Sequence, residues 1–297
     1  MRCPACLQET GDSFDALSTH IYEMQEETES DHIMWINRNV ARQKTSFEEF
    51  SKRIAGVFET SDLKSWVLKA FIRKFYSQTP HAFLLKMQRP DSRTLLGYAY
   101  EHHHFLKQWV RSCSSIIANT DIEEVQHYEI ENIISEWHGE EGKYPSHHEL
   151  LLRMGESYGA SRKEIYNTEP LKPTKHAMET WHKMCRDFSF VEGMAAMHTL
   201  ELIANRKIKS YGATIGYFDP EILKDGSVTS ETVDFLREGY EADVSHSEVA
   251  LDLISRYAKE MGLEQNVQAV VMRSMEEFDN YLNARIVRGE MIENKQH

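Results

Sequence analysis

From Thr45 onward apolar residues return every three to four positions, and no segment alternates with period two for more than a few residues. A chain patterned this way has helices to pack and no strands to pair, so the pattern predicts an all-α body. Ser46-Phe-Glu-Glu49 reads as a capping box opening a helix toward Phe58, and Thr60-Ser-Asp-Leu opens another to about Tyr76. Ser77-Gln-Thr-Pro80 interrupts the chain before a long amphipathic segment, Asp91 to Ala118, which carries His102-His103-His104. Adjacent helical positions point in different directions, so this run reads as a half-buried aromatic face and not as a ligand cluster. Further helices are expected over Asp121 to His138, from a Ser146/Glu149 capping box onward, from Phe188 to about Asn205, and over 229–260 and 264–288.

With 297 residues the chain can bury one full core and carry a small appendage. Its net charge of −13, spread along the whole sequence, would repel phosphate backbones, so nucleic acid is not an expected partner. No long apolar run is free of charge, and Met-Arg-Cys-Pro-Ala-Cys has no apolar stretch behind it. Neither a signal peptide nor a membrane-spanning helix is expected, and the cytoplasm is the default location. Four cysteines are too few and too unevenly placed for a disulfide framework, which leaves thiol or metal chemistry.

Residues 1–45 differ from the rest. Cys3 and Cys6, followed after thirteen residues by His20 and after eleven more by His32, offer two thiolates and two imidazoles, a donor set suited to tetrahedral zinc. The Cys-to-His interval is close to that of a Cys2His2 finger. The longer His-to-His interval requires the second histidine to return across the acidic stretch Glu23 to Asp31. Residues 7–19 hold no Lys or Arg with which to meet DNA, so a structural zinc module is expected. The division predicted is a zinc-binding module over 1–45, connecting helices over 46–76 and a helical bundle over 77–297, with separate cores.

At 3.6 residues per turn, Phe235, Gly239, Asp243, His246, Ala250, Leu253 and Tyr257 fall on one stripe. Asp243 and His246 thus interrupt a core face, where a carboxylate and an imidazole must be paired with each other or bound to a metal. Helical bundles build dimetal sites from such pairs, three residues apart and projecting inward from facing helices. This chain has Asp243-x-x-His246 and His198-x-x-Glu201, with Glu136 and an inward-facing His147 on earlier helices. Together they would serve iron or manganese. A polar core contact between His198 and Glu201, or between Asp243 and His246, accounts for each pair without a metal.

Glu136 with Tyr144-Pro-Ser-His147-His-Glu-Leu, then Ala195-Ala-Met-His-Thr-Leu-Glu201, then Gly239-Tyr-Glu-Ala-Asp243-Val-Ser-His246, resemble the haem-oxygenase-like diiron oxidases. That superfamily includes the thiaminase-like TenA proteins, the pyrroloquinoline quinone synthase PqqC and the chlamydial-type para-aminobenzoate-forming oxidases. The likeness runs from about His81 to Lys259 and is nearest to the last group. It implies a haem-oxygenase-like bundle, a homodimer, and iron ligands at Glu136, His147, Glu201, Asp243 and His246. The superfamily pattern His-x-x-x-Asp-x-x-His begins here with Gly239, which has no side chain to ligate. His198, one turn from Glu201, is the nearest substitute; Glu238 and Glu241 fall off the ligand stripe. Leu84 aligns with a tyrosine that takes part in the chemistry of the para-aminobenzoate-forming group, which speaks against self-sacrificing tyrosine chemistry here.

The function expected is that of a non-haem iron oxidase or oxygenase using O2 on a small-molecule substrate, in cofactor or metabolite biosynthesis. One alternative is a cofactor-free enzyme of the PqqC or TenA kind, whose polar residues act as acids and bases. Another is a non-catalytic interaction protein with a degenerate metal site, in which the zinc module docks a partner.

Overall fold

The computed structural model describes residues 1–139 and 144–293, with the side chains of 240–246 and 293 left aside. An N-terminal knuckle leads into α1 (Phe14–Glu26) and α2 (Ser30–Asn39), then α3 (Phe47–Phe58), α4 (Leu63–Phe75), α5 (Ala82–Met87) and α6 (Ser92–Ala118). The bundle continues with α7 (Glu123–Ile133), α8 (His147–Ser157), α9 (Arg162–Asn167), α10 (Lys172–Asp187), α11 (Phe190–His198), α12 (Ser230–Met261) and α13 (Glu264–Glu293). The architecture is all-α; among the described residues the one β-type pairing is an isolated bridge between Arg2 and Glu9. No helix among them is long and apolar enough to cross a membrane.

Local signals place the helix starts. Ser46 and Ser146 accept from the amides of Glu49 (3.3 Å) and Glu149 (3.2 Å), as their sequence predicts. The two boxes do not close, because each glutamate turns to a guanidinium: Glu49 to Arg53 at 2.7 Å, Glu149 to Arg153 and Arg162 at 2.8 Å. A charge-assisted bond is stronger than the neutral backbone contact it replaces. Complete boxes form instead at Ser161/Glu164 and Ser189/Glu192.

Two helices depart from their expected course, and each departure carries an acidic residue of interest. The Phe188–Asn205 segment is α-helical only to His198, then tightens into a 3-10 turn over Thr199–Ile203, where the Thr199 hydroxyl donates to the Ala195 carbonyl at 2.7 Å. The Asp121–His138 segment is α-helical to Ile133, then widens into a π-helical turn over Ile134–His138. Gly139 ends that turn at φ +69°, and a Cβ there would lie 2.6 Å from the Ser146 amide nitrogen. Only glycine meets both conditions.

The centre of the bundle is the crossing of α6 with α13. A Cβ added to Gly97 would lie 2.1 Å from the Arg285 carbonyl oxygen, and one added to Gly289 would lie 2.5 Å from that of Arg93. Two glycines thus let the backbones touch, which seats Arg285 of α13 directly against Tyr98 of α6. The start of α12 is tied to α8 through Ser157 and Thr229 (2.8 Å) and through the Tyr158 hydroxyl.

The separate cores expected for the N-terminal module and the bundle are not found. Cys3, Leu17, Ile21 and Trp35 belong to the same cluster of buried apolar side chains as Trp181, Val267 and Leu282. The module is also bolted on electrostatically. Arg2 pairs with the buried Glu192 at 2.6 Å and lies 3.7 Å over the Phe188 ring, while Arg273 reaches the Ala5 carbonyl (2.6 Å), Asp31 (2.9 Å) and Glu277 (2.6 Å). The module alone offers few apolar residues, and burying them against the bundle supplies what it lacks.

Candidate functional site

Two groups of candidate residues come together, one in the N-terminal module and one inside the bundle. In the module, Cys3 and Cys6 on the knuckle, His20 on α1 and His32 on α2 place their donor atoms within 4.8 Å of one another. Cys3 Sγ lies 3.5 Å from His32 Nε2, Cys6 Sγ 3.4 Å from His20 Nε2, and the two Nε2 atoms are 3.3 Å apart. Tetrahedral zinc with bonds of roughly 2.0–2.3 Å sets neighbouring donors about 3.3–3.8 Å apart, so both the donor set and its spacing fit. His32 Nδ1 faces Glu29 at 3.3 Å, the outer-shell carboxylate that commonly orients a ligating imidazole. The hydrogen bond from Cys3 holds the Cys6 thiol down to about 3 against its burial, with His32 adding to the effect.

Inside the bundle, α6, the π-turn, α8, the 3-10 turn, α12 and α13 enclose a cavity of about 70 Å³. One water needs roughly 10–15 Å³ on the same measure, so the chamber takes a small molecule. Glu136, His147, Glu201 and Gly239 are on its wall, with an apolar lining that includes Phe105, Leu106, Trp109 and Phe235. Glu136 Oε2 meets His147 Nδ1 at 2.9 Å. The π-turn is steadied by Trp137, whose ring stacks on His148 at 4.3 Å, and His148 Nε2 in turn lies 2.9 Å from His103 Nδ1. Burial holds His103 down to about 3 and His148 to about 4, so this pair is neutral at pH 7.

His198 has a different role from the one its spacing suggested. Its ring is fully buried, with Nε2 2.8 Å from Glu129 Oε1 and Nδ1 2.8 Å from Glu201 Oε1. Burial works to lower its pKa, but the Glu129 charge and the bonds to both carboxylates raise it to about 10. With both nitrogens bonded to carboxylates, the ring makes the polar core contact that the spacing also allowed. Its charge anchors Glu201 by one oxygen and leaves Glu201 Oε2 buried with no hydrogen-bond partner. Cys113 lies within reach of Glu129 and His198, and burial pushes its thiol well above the usual range.

The side chains of Asp243, His246 and Glu241 lie outside the described residues. Glu238, which helical spacing put off the ligand stripe, brings Oε2 to 3.8 Å from His147 Nδ1. The chain before Asp243 therefore does contribute a carboxylate near the site, from one position earlier than Gly239. Leu84 is fully buried, as its apolar character predicts.

The three consecutive histidines do point three ways, but each has a specific partner. His104 Nε2 bonds the Thr168 carbonyl (2.9 Å), His103 meets His148, and His102 is a wall residue of the chamber. His102 Nδ1 lies 2.8 Å from the Tyr281 hydroxyl and 3.0 Å from an Arg285 nitrogen. Arginine only donates, so Nδ1 accepts and the proton of the neutral ring sits on Nε2. Burial and then the Arg285 charge keep His102 well below its usual pKa. Arg285 and Tyr217 were not singled out from sequence, and His102 was read only as part of a half-buried aromatic face. The one available signal was an arginine at a core position of α13.

The helical bundle around this largely apolar chamber has a haem-oxygenase-like fold, as solved structures that share it show. A profile of the TENA/THI-4/PQQC family matches residues 68–288, and the chain belongs to that family. Residues 2–59 match a C2H2 type zinc-finger, present in one copy. Among curated proteins the chain is 24% identical over 158 residues to a 4-aminobenzoate synthase of Nitrosomonas europaea, spanning 52% of this chain and 58% of that one. The match thus covers under two thirds of the relative's length. Among solved structures the fold is shared with a haem-oxygenase-like domain of unknown function from Shewanella denitrificans (TM-score 0.56, 15% identity, 77% of this chain and 91% of that one). It is shared as well with a TenA homologue from Pseudomonas syringae pv. tomato (TM-score 0.55, 12% identity, 76% and 88%).

Proposed function

We propose that the chamber is the reaction site of a non-haem iron-dependent oxidase that uses O2 on a small molecule. The observation that carries this reading is Glu201: a wall residue of the same chamber as Glu136 and His147, whose Oε2 is buried without a hydrogen-bond partner among the described residues. A buried carboxylate oxygen left unsatisfied costs several kcal/mol, roughly, unless a cation or a donor meets it there. Carboxylate and imidazole donors suit iron or manganese. Glu136, His147 and Glu201 would hold the ion, joined by Asp243 and His246 from α12.

When bound, the ion would supply O2 activation, chemistry that no side chain provides. The chain supplies the rest. Glu136 fixes the His147 ring, the His198 imidazolium fixes Glu201, and the aromatic lining excludes water from the reacting molecule. The relative named as a 4-aminobenzoate synthase supports an enzymatic role in cofactor or metabolite synthesis.

The test is anaerobic loading with ferrous iron, followed by metal analysis and O2 uptake, on wild type, Glu136→Ala, His147→Ala and Glu201→Ala. Near-stoichiometric bundle iron in wild type, lost in each variant, supports the reading; no iron or manganese beyond the zinc in wild type overturns it. The cofactor-free alternative is favoured by one observation, the Glu136–His147 bond, because that dyad can move a proton without a metal. Turnover that survives chelation would select it.

A further inference from the structure

Among the described residues Arg285 has no counter-ion. It is 2% exposed, and among the described residues no carboxylate oxygen lies within the 4.0 Å of an ion pair. Its surroundings are aromatic: the guanidinium carbon sits 4.0 Å from the Tyr98 ring centroid, 4.5 Å from that of Tyr281 and 5.0 Å from that of Phe83. One terminal nitrogen donates to the Tyr281 hydroxyl (2.7 Å) and to His102 Nδ1 (3.0 Å), the other over 3.4 Å to the Tyr217 hydroxyl, and Nε has no acceptor. Cation–π contacts and neutral acceptors offset only part of the desolvation of a guanidinium. Three partly buried arginines do have an acid: Arg2 has Glu192, Arg273 has Glu277, and Arg288 has Glu101.

Arg285 and His102 are also wall residues of the chamber, which carries Glu136, His147 and Glu201 as well. His102 spends Nδ1 on Arg285 and Tyr281, so its Nε2 proton is the one left for a ligand. We propose that Arg285, with His102 beside it, receives the carboxylate of a small apolar-bodied monocarboxylic acid that is the substrate. This inference rests on the reading of the chamber as a reaction site and names the substrate class for it.

One guanidinium balances one negative charge. A phosphate monoester would bring nearly two into a chamber that already holds Glu136 and Glu201, so a carboxylate matches and a phosphate does not. The remaining lining, Phe105, Leu106, Trp109, Leu200, Phe235 and Phe278, suits a hydrocarbon or aromatic body. With its carboxylate on Arg285, such a molecule would extend its body toward the proposed ligands.

The experiment is a binding series on the full chain, zinc retained and no iron added, with acetate, butyrate and benzoate, the matching amides, and phenyl phosphate, followed by ligand-observed NMR and calorimetry. Wild type should bind at least one of these carboxylates about ten-fold or more tightly than its amide or than phenyl phosphate, as a charge-assisted contact would give. Arg285→Met should erase that preference, and Arg285→Lys, which keeps the charge and is the variant to rely on should Met fail to fold, should keep only part of it. Equal affinity for acid and amide in wild type, no carboxylate binding at millimolar concentration, or an acid preference undiminished in Arg285→Lys and Arg285→Met overturns the proposal. Because no iron is present, these outcomes are independent of the iron-loading test.

Discussion

His198 lies between two carboxylates, 2.8 Å from Glu129 Oε1 through one nitrogen and 2.8 Å from Glu201 Oε1 through the other. A single buried imidazolium thereby joins α7 to the 3-10 turn after α11 and ties down one of the two Glu201 oxygens. Replacing it with a neutral residue leaves two buried acids facing each other. His198→Gln is expected to lower stability by roughly 3–5 kcal/mol, the usual cost of breaking a buried ion pair. Urea unfolding measures the loss, and iron affinity should fall by roughly 10–100-fold along with it, because the ring orients Glu201 without itself being a ligand. Loss of the iron without loss of stability would restore His198 as a ligand.

A second charge network sets a pH dependence. Asp279 on α13 lies 2.8 Å from Lys74 on α4 and 2.9 Å from His81 at the start of α5. Burial pushes its carboxyl up, but the His81 hydrogen bond and the Lys74 charge outweigh that and hold it well below the ordinary value of 3.8. A depressed folded-state pKa stabilises the fold above the unfolded value and ceases to do so as pH falls through the folded one. Asp279→Asn should therefore cost about 1–3 kcal/mol at pH 7. The gap between variant and wild type, measured as Tm from pH 7 to 3, should hold constant to about pH 4 and narrow only below it. A gap that already shrinks between pH 7 and 5 would assign the effect to another group.

The fold was legible in the sequence because apolar period and cap chemistry both act locally. Ser146 and Gly139 set the entry and exit of their helices as their residue types require. The candidate site was only half legible. Glu136, His147 and Glu201 could be named from spacing and resemblance, but the π-turn beneath Glu136 and the 3-10 turn beneath Glu201 change the register on which spacing arguments depend. The bond of His198 to Glu129 across the bundle was out of reach of spacing within one helix. Arg285 was missed for a different reason. Its core position in α13 was the one signal, but its surroundings depend on α6 and on the Gly97–Gly289 contact, which joins distant parts of the chain.

The N-terminal module should prove inseparable from the bundle. Cys3 is fully buried in the common core, and Arg2 beside it pairs with Glu192. Cys3→Ser with Cys6→Ser is expected to release one zinc and to lower the unfolding temperature of the whole chain, because structural zinc sites contribute folding energy directly. Elemental analysis and a thermal melt followed by circular dichroism check both parts. Zinc lost with an unchanged bundle melt would mean that the two parts fold independently, as the sequence pattern alone suggested.

Gly239 offers the sharpest test of the iron reading. It is buried on the chamber wall, four residues before Asp243 and seven before His246, so helical spacing puts all three on one face. A glycine in mid-helix costs about 1 kcal/mol relative to alanine, and here that absence of a side chain contributes space to the chamber. Gly239→His should place an imidazole toward Glu136, His147 and Glu201, raising iron retained after dialysis, while narrowing the chamber and weakening small-carboxylate binding. Asp243→Ala should move iron the other way. Iron content and benzoate affinity that respond in opposite directions would establish that metal and substrate share this one cavity. Wild type, Asp243→Ala and Gly239→His all binding equally little iron and manganese after anaerobic loading would end the oxidase reading.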